Sequence, residues 1–448
     1  MRNAIKALPL LAAAVFASAS ALAQGPSGKL VITTSFPNDM TTPFQQAFQR
    51  AFPKVQVEIQ NRNTNAGVSY LRETASNNVT DIFWSSAPDA FEVLKAEGLL
   101  EQYVPKVEGI PAEIGGYPIH DPDGYYVGFA LSGYGIMWNK RYLQAHKLPE
   151  PKEWSDLARP EYFDHVAMAA PSRSGTTHLT VETILQGEGW EQGWRTLKEL
   201  AGNFRMVTER SFGVPDGVNT GDFGIGIVID FFGLSSQASG FPVGFVYPSV
   251  TTLVPANIGI VKNAPNRAAA EAFVDFLLSP VGQELLLEPA ISRLPVNPAT
   301  YTQAPPDYPN PFRDQSISAA VQFDSQLSQR RFAVVDALFD QTVTFLLDDL
   351  KAATKAIHEA EARLQKKPDN AQARALIAEA RDLIAAVPIT AEEALSPEVV
   401  GAFTVRRRSQ QDVVPQRQAA LEQQWSSFAR DNYRKARERA NEAARLLR

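Results

Sequence analysis

The sequence predicts an α/β fold that is followed by a helical segment at the carboxyl end. Short β-branched runs alternate with amphipathic runs as far as Thr300, and this alternation is typical of βαβ units built around a parallel sheet. Beyond that point, apolar residues keep helical spacing through most of the remaining chain. With 448 residues, of which 44% are hydrophobic, the chain is long enough for two or three domains with substantial cores.

The first 23 residues have the composition of a secretory signal. Arg2 and Lys6 make a basic start, an apolar run follows, and Ala21-Leu22-Ala23 forms an A-x-A cleavage pattern. The apolar run is too short and too rich in small residues for a membrane anchor. We therefore expect cleavage after Ala23 and export of a soluble, periplasmic protein.

The composition argues against several kinds of functional site. The chain has no cysteine, so it forms no disulfide and no thiolate site for zinc or an iron–sulfur cluster. The five histidines are scattered, and H-E-x-x-H, G-x-S-x-G and P-loop patterns are all missing from the sequence. A net charge of −6 does not favour nucleic acid as a partner. These features give no indication of a catalytic residue, a metal site or a cofactor.

The amino-terminal part contains three predicted strands, each followed by a predicted helix. The strands are Lys29 to Thr34, Val55 to Ile59 and Thr80 to Ser86, and the helices are Thr42 to Phe52, Gly67 to Ser76 and Pro88 to Glu97. In such sheets, ligands bind beyond the carboxyl ends of the strands. The loops at these ends make Ser35, Trp84, Ser85 and Ser86 candidate ligand contacts.

A second α/β unit follows a long strand-like stretch from Tyr125 to Trp138. Three glycines within this stretch predict bends and not one flat strand. Val166 to Ala170 and Gly224 to Asp230 are the next predicted strands, and polar residues follow each of them. Another strand, Ala256 to Val261, precedes a strong helical pattern from Asn266 to Leu286.

An unusual cluster of hydroxyl side chains lies in the turn PSRSGTTH, between a predicted strand and a predicted helix. The cluster comprises Ser172, Ser174, Thr176 and Thr177, with Gly175 in the middle. A helix needs only one hydroxyl as its N-cap. Either one residue caps the helix and the others occupy the surface of the turn, or the cluster binds a ligand.

Several motifs together resemble a known family. They are GIMWNK at 135–140, WSDLARP at 154–160, the PSRSGTTH turn, and AAAEAFVDFLLSPVGQELL at 268–286. From about Lys29 to Thr300, the chain resembles periplasmic substrate-binding proteins of ABC importers. The resemblance is to the group that holds binders of ferric iron, of phosphorylated solutes and of phosphonates.

The resemblance implies two α/β lobes with a hinge and a ligand cleft between them. The first lobe is expected at 28–130 and 257–300, and the second at 137–250. The chain is expected to cross between lobes near Phe129 to Ile136 and to return near Thr251 to Ile258. The lobes of such a non-enzymatic protein close around a solute, which is then delivered to an inner-membrane ABC permease.

The resemblance also bears on the identity of the solute. Ferric-iron binders of this group carry adjacent tyrosines in the second lobe, whereas this chain has Phe231-Phe232 at the matching position, without oxygen ligands. Tyr125-Tyr126 is an adjacent pair, but it precedes the first crossing. Iron is therefore the alternative to an anionic, phosphorylated or phosphonate solute.

A phosphate group fits the hydroxyl cluster. The first turn of a helix has unpaired backbone N–H groups and a positive dipole end, and both favour an anion. The hydroxyl groups add further donors, Arg210 is a candidate countercharge, and Asp230 can accept hydrogen bonds from the rest of the solute. A sugar phosphate, a phosphoglycerate and an aminoalkylphosphonate all fit this chemistry.

The carboxyl-terminal segment, 315–448, is not part of the resemblance. Phe332, Phe339 and Leu346 share one helical face, and the region from Gly401 carries 11 Lys and Arg residues against 5 Asp and Glu. Arg406-Arg407-Arg408 is the centre of this basic region. The segment either packs on the lobes as a solvated helical tail or docks on a membrane sensor or the anionic membrane surface.

Overall fold

The computed structural model describes residues 25–314, 317, 321–405 and 411–448. The predicted signal sequence at 1–23 and the Arg406-Arg407-Arg408 cluster lie outside the described residues. Within the described ranges, no helix has both the length and the apolar character needed to cross a membrane.

Strands and helices alternate through the first two thirds of the chain, and helices alone follow. The strands are β1 (Gly28–Thr34), β2 (Val55–Asn61), β3 (Ile82–Ser85), β4 (Leu100–Glu101), β5 (Glu113–Ile114), β6 (Tyr117–Pro118), β7 (Val127–Asn139), β8 (Val166–Ala169), β9 (Phe204–Thr208), β10 (Ile225–Ile229), β11 (Val243–Val246), β12 (Leu253–Val261) and β13 (Leu294–Pro295). The helices are α1 (Asn38–Ala51), α2 (Thr64–Thr74), α3 (Pro88–Ala96), α4 (Lys140–His146), α5 (Gly175–Glu188), α6 (Trp190–Ala201), α7 (Gly213–Thr220), α8 (Asp230–Ala238), α9 (Arg267–Leu278), α10 (Pro280–Leu285), α11 (Ser325–Thr342), α12 (Leu347–Leu364), α13 (Ala371–Ala385), α14 (Pro397–Val400) and α15 (Gln416–Leu446).

The main sheet has the strand order β2-β1-β3-β12-β7-β10-β8-β9. Strands β1, β2 and β3 pair in parallel, as do β8, β9 and β10, while β7 and β12 run antiparallel to their neighbours. We call the half built on β1 to β3 and β12 the first lobe, and the half built on β8 to β11 the second lobe. This is the two-lobed α/β fold that the sequence predicts. The residue boundaries assigned to the lobes from the sequence stay a prediction.

Strand β7 joins the two lobes. Its first part, Val127 to Gly133, pairs with β12, and its second part, from Tyr134, pairs with β10. The strand is continuous, but its pairing with β12 shifts register between Gly128 and Ala130, so an irregularity lies where the sequence predicted a bend. A Cβ atom at Gly128 would lie 2.1 Å from the Ile119 carbonyl oxygen. A second carbonyl oxygen approaches Gly135 in the same way. The close approach of neighbouring backbone therefore explains two of the three glycines.

Helices α11 to α15 form the predicted helical extension, and they share a hydrophobic core with the second lobe. Trp190, Trp194 and Leu197 of α6 belong to the same buried cluster as Phe339 of α11 and Trp425 of α15. The indole Nε1 of Trp190 also donates a 3.0 Å hydrogen bond to the Ile389 carbonyl in the extension. The extension is thus part of the folded second lobe and not a separate tail.

The extension also contacts the strand that returns to the first lobe. The Val321 N–H donates to the Thr251 carbonyl at 3.1 Å, and the Thr252 hydroxyl donates to the Val321 carbonyl at 2.9 Å. Ser328 of α11 lies 3.2 Å from the carboxylate of Asp89 in α3. The extension therefore contacts the second lobe, the connection between the lobes and the first lobe.

Candidate functional site

A small cavity lies between the lobes, where several strands end. The first lobe contributes the segments after β1, β2 and β3, and the second lobe contributes those after β8 and β9. We call this cavity the hydroxyl pocket, and its hydroxyl-bearing and cationic lining residues are Ser35, Thr64, Ser86, Arg173, Ser174, Thr176, Arg210 and Ser211. Its free volume is only about 20 Å³, which is close to the space of one water molecule. A solute can therefore enter only when the lobes separate.

Direct hydrogen bonds hold the lobes together around the hydroxyl pocket. The hydroxyl oxygens of Ser86 and Thr176 are 3.2 Å apart. The Asn65 side-chain amide donates to the Ser172 carbonyl at 3.1 Å. The Arg210 guanidinium donates to the Asn61 side chain at 3.2 Å. The structure thus shows the lobes in contact, with polar groups of both lobes facing one small space.

At the start of α5, one hydroxyl group caps the helix and a different one faces the hydroxyl pocket. The Ser174 side chain accepts the Thr177 N–H at 3.2 Å and is the N-cap of the helix. Thr176 faces the hydroxyl pocket, whereas Thr177 is buried and does not line it. One hydroxyl is thus enough for capping, which leaves the Thr176 hydroxyl for contacts across the cleft.

Gly175 is located where the two lobes are in close contact. A Cβ atom at this position would lie 2.7 Å from the Ala87 Cβ and 3.1 Å from the Thr64 hydroxyl oxygen. Both distances are shorter than ordinary van der Waals contact, so any larger residue has to push the lobes apart. In this structure the space beside Gly175 is filled by the first lobe.

Two arginines line the hydroxyl pocket. Burial lowers the pKa of Arg210, whose guanidinium lies 4.7 Å from the centre of the Phe212 ring. Arg173 also lines the pocket and forms an ion pair with Glu209. Together with the amino end of α5, these groups produce a potential that attracts an anion.

Other residues predicted from the sequence lie elsewhere. Trp84 is buried in the first-lobe core, with ring contacts to Phe36, Phe44 and Phe129. The Ser85 hydroxyl is buried 3.1 Å from that of Ser35. Ser172 lines a different cavity of about 270 Å³, between α2, α3 and the extension. The structure therefore brings together Ser35, Ser86, Ser174, Thr176 and Arg210, with Gly175 beside them, and does not bring Trp84 or Ser172 into the hydroxyl pocket.

Asp230 supports the connection between the lobes. One carboxylate oxygen accepts from the Gly133 N–H at 2.7 Å and from the Tyr247 hydroxyl at 2.9 Å, and the other accepts from the Phe231 N–H at 2.7 Å. Burial raises the pKa of Asp230 to about 6. Because these contacts are internal and Asp230 does not line the cavities at the cleft, its role in this structure is to hold β7, α8 and the residue after β11 together.

A larger cavity of about 550 Å³ lies next to the hydroxyl pocket. We call it the large cavity; it shares Pro37, Phe212, Phe231 and Phe232 with the hydroxyl pocket. Its charged lining residues are Asp39 at the start of α1, Asp216 in α7, and Arg293. The sequence analysis missed all three. Asp39 follows the end of β1, so the strand-end rule could have found it, whereas Arg293 follows α10 in a segment without a recognisable motif.

The aromatic pair Phe231-Phe232 lines both cavities. Neither ring carries an oxygen that could bind iron. Among the described residues, no group of three or more His, Cys, Asp or Glu side chains is arranged to hold a metal ion.

Comparison with known proteins agrees with the fold. The sequence pattern of the family described as "Bacterial extracellular solute-binding protein" matches residues 77–317. A curated relative is the phosphoglycerate transport regulatory protein PgtC of Salmonella typhimurium, which is 31% identical over 368 residues. That match covers 82% of this chain and 88% of PgtC, so it includes at least part of the helical extension.

Solved structures share the two-lobed fold. The periplasmic binding protein AfuA from Actinobacillus pleuropneumoniae, with bound fructose-6-phosphate, has a TM-score of 0.57 at 22% identity and covers 66% of this chain and 89% of its own. Iron-bound HitA from Pseudomonas aeruginosa has a TM-score of 0.55 at 17% identity and covers 65% of this chain and 93% of its own. At these identities the likeness shows the fold and not the ligand. The family pattern and the curated relative confirm the resemblance found in the sequence, and the chain belongs to the bacterial extracellular solute-binding proteins.

Proposed function

We propose that this chain is the periplasmic solute-binding component of an ABC importer, and that it captures a small phosphorylated or phosphonate solute. The observation that carries the proposal is the hydroxyl pocket, in which Ser35 and Ser86 of one lobe face Thr176 and Arg210 of the other. Lobe closure around the solute would precede delivery to an inner-membrane permease. The protein acts in this proposal as a binding protein and not as an enzyme.

The chemistry of the hydroxyl pocket suits a phosphate group. A phosphate has several oxygen acceptors, while serine and threonine hydroxyls, first-turn amides of α5 and Arg210 are all donors. A hydrogen bond to a charged group contributes about 1.5–3 kcal/mol. A few such bonds made from both lobes would hold the lobes closed around the anion.

The relative PgtC and the residues at the cleft favour this solute class over iron. PgtC is named for phosphoglycerate, which is a phosphate ester. HitA was solved with iron, but the Phe231-Phe232 pair in this chain offers a hard metal ion no anionic oxygen. Ferric iron is therefore the competing outcome of the binding test.

A thermal-shift panel tests the proposal. It contains 3-phosphoglycerate, glycerol 3-phosphate, fructose 6-phosphate, 2-aminoethylphosphonate, the matching unphosphorylated compounds and ferric citrate. A true solute at a hundredfold excess over its dissociation constant stabilises the folded state by about 2.7 kcal/mol. We expect a shift with at least one phosphorus compound and none with its unphosphorylated partner. A shift with ferric citrate alone would contradict the proposal.

Regulation through the helical extension is a second candidate function. The extension contacts both lobes, with Ser328 next to Asp89 of the first lobe and Arg331 paired with Glu182 of the second. The relative PgtC is named as a regulatory protein. Solute-driven closure would change the contact between α11 and α3, and a membrane sensor could read that change. Hydrogen exchange of α11 with and without solute tests this idea, since an extension without a regulatory role would show the same exchange in both states.

A further inference from the structure

Arg293 is a buried arginine whose guanidinium has no hydrogen-bond partner among the described residues. It lies between α10 and β13, only 1% of its surface is exposed, and none of its three guanidinium nitrogens has a hydrogen-bond partner in the described part of the chain. Its guanidinium carbon lies 3.4 Å from the centre of the Phe231 ring and 4.4 Å from that of Phe36. The charge is therefore covered by one ring from each lobe.

A charge in this position is unfavourable in the absence of a ligand. Burying a charged group without hydrogen bonds costs far more than the attraction of aromatic rings recovers. Asp230 is the nearby acid, but its carboxylate accepts hydrogen bonds from Gly133, Phe231 and Tyr247. Burial lowers the pKa of Arg293 to about 9, while Asp230 opposes this shift, so the guanidinium stays charged at neutral pH.

A second buried arginine shows how the chain treats an arginine that has a structural role. Arg331 in α11 is 4% exposed, and its guanidinium forms two hydrogen bonds of 2.9 and 2.8 Å with the carboxylate of Glu182. Arg293 and Arg331 are thus similarly buried, but of the two only Arg331 is hydrogen-bonded to a carboxylate within the described part of the chain. The missing partner of Arg293 can come from outside the chain.

The position of Arg293 gives a solute access to it. Arg293 lines the large cavity next to the hydroxyl pocket, and Phe231 lines both. Phe231 belongs to α8 of the second lobe, whereas Arg293 and Phe36 belong to the first. Separation of the lobes therefore moves Phe231 away from Arg293, and a solute that enters the open cleft can reach the guanidinium before the lobes close.

We propose that Arg293 binds a carboxylate of the solute, so that the solute is a phosphorylated carboxylic acid and not a phosphorylated sugar or alcohol. This inference rests on the proposed function, which puts the phosphate in the hydroxyl pocket. One guanidinium matches one carboxylate through two parallel hydrogen bonds. A second phosphate suits the large cavity less well, because Asp39 and Asp216 already contribute negative charge there.

Titration calorimetry with two closely matched compounds tests the inference. 3-Phosphoglycerate and glycerol 3-phosphate differ in a carboxylate against a hydroxymethyl group. We expect the unmodified protein to bind 3-phosphoglycerate at least about tenfold more tightly, and Arg293→Met to reduce the ratio of the two affinities to within about threefold. Equal binding of the two by the unmodified protein, or an unchanged ratio in Arg293→Met, would overturn the inference. Failure of both compounds, and of every other phosphorus compound, would instead contradict the proposed function.

Thermal stability without solute provides an independent measurement. Arg293→Met removes an unpaired buried charge, so we expect its melting temperature to equal or exceed that of the unmodified protein. Arg331→Met is the matched control, and we expect it to melt lower because Glu182 is then left buried and unpaired. A loss of stability in Arg293→Met as large as that in Arg331→Met would show a structural role and overturn the inference. If Arg293→Met does not fold, Arg293→Lys replaces it, because lysine keeps the positive charge but cannot form two parallel hydrogen bonds with a carboxylate. An unchanged ratio of the two affinities in Arg293→Lys would also overturn the inference.

Discussion

His178 of α5 and Asp336 of α11 form a 2.7 Å hydrogen bond in the protein interior. The other ring nitrogen of His178 lies 3.1 Å from the Ser328 hydroxyl and 3.2 Å from the carboxylate of Asp89 in the first lobe. We call His178, Asp89, Ser328 and Asp336 the histidine cluster. Because its members come from both lobes and from the extension, the cluster links the three parts of the molecule in one buried polar contact.

The histidine cluster predicts a pH dependence of stability. Burial alone would lower the pKa of His178, but Asp336 and Asp89 raise it to about 9. The free energy from these contacts is therefore complete below about pH 6.5 and is lost as the pH rises through 9. The rise of the His178 pKa from 6.5 to about 9 corresponds to about 3 kcal/mol in the free energy of unfolding. Burial raises the pKa of Asp89 to about 6, which also favours the folded state as the pH falls from 6 toward 4.

Comparison of the unmodified protein with His178→Gln isolates the contribution of His178 to the pH dependence of stability. Lys198 titrates in the opposite sense, because burial lowers its pKa to about 7 and makes folding more favourable as the pH rises. Urea unfolding of both proteins at several pH values gives the difference in free energy of unfolding. We expect this difference to be largest near pH 6 and to shrink toward pH 10. A constant difference across this range would show that His178 is neutral in the folded protein.

Removal of the helical extension should prevent folding of the second lobe. Truncation after Asp314 would expose Trp190, Trp194 and Leu197, which now pack against α11 to α15. Each buried side chain of this size contributes about 1.5–3 kcal/mol, and the total loss is large compared with the net stability of a domain. We expect insoluble protein after expression of the truncated chain. A soluble, monomeric product that still binds solute would show instead that the extension is dispensable for folding.

The main features of the fold were predictable because they depend on local pattern. Strands β1, β2 and β3 are short β-branched runs, and their order with the helices between them indicates a parallel sheet. The continuity of β7 was not predictable, since glycine in a strand is equally compatible with a bend. Close approach of the Ile119 carbonyl to Gly128 explains that glycine, and only the folded structure shows such a contact.

The candidate site was predictable only in part. The strand-end rule selects positions such as Ser86 and Thr176, which the structure places 3.2 Å apart. The rule does not say which side chain points into the cleft, and for this reason it also selected Trp84, whose ring packs in the first-lobe core. Arg293 could not be found in this way, because its importance comes from a missing partner and from rings 62 and 257 residues away in the chain.

The hydroxyl cluster predicts different effects for two neighbouring threonines. Thr176 lines the hydroxyl pocket and Thr177 does not. If the Thr176 hydroxyl donates to the solute phosphate, Thr176→Ala removes about 1.5–3 kcal/mol of binding free energy, or about 10- to 150-fold in affinity. Thr177→Ala keeps the N–H that Ser174 accepts, so we expect its affinity to stay within about threefold of the unmodified protein. Calorimetry with the phosphate ester that gives the largest thermal shift measures both.

Ser174→Ala completes the comparison because it removes the cap of α5. Loss of an N-cap hydroxyl costs about 0.5–2 kcal/mol of stability, so we expect a lower melting temperature in the absence of solute. Equal affinities of Thr176→Ala and the unmodified protein would exclude the Thr176 hydroxyl as a phosphate contact. The phosphate would then have to bind to the first-lobe groups near Ser35 and Ser86.

Gly175 predicts an effect on lobe closure that is separate from direct solute contacts. In Gly175→Ala, the new methyl group would lie 2.7 Å from the Ala87 Cβ in the present arrangement, so the lobes have to move apart. The apparent affinity for the solute falls in proportion to the population of the closed state, so a tenfold smaller population weakens binding by about tenfold. Helix α5 itself tolerates the change, because alanine is a better helix former than glycine.

Gly213→Ala is the control, since its Cβ would meet only ordinary contacts, beginning at 3.5 Å from Thr208. Small-angle scattering should show a larger radius of gyration for Gly175→Ala with solute than for the control, and identical radii and affinities for the two variants would mean that closure does not require the contact between Gly175 and Ala87.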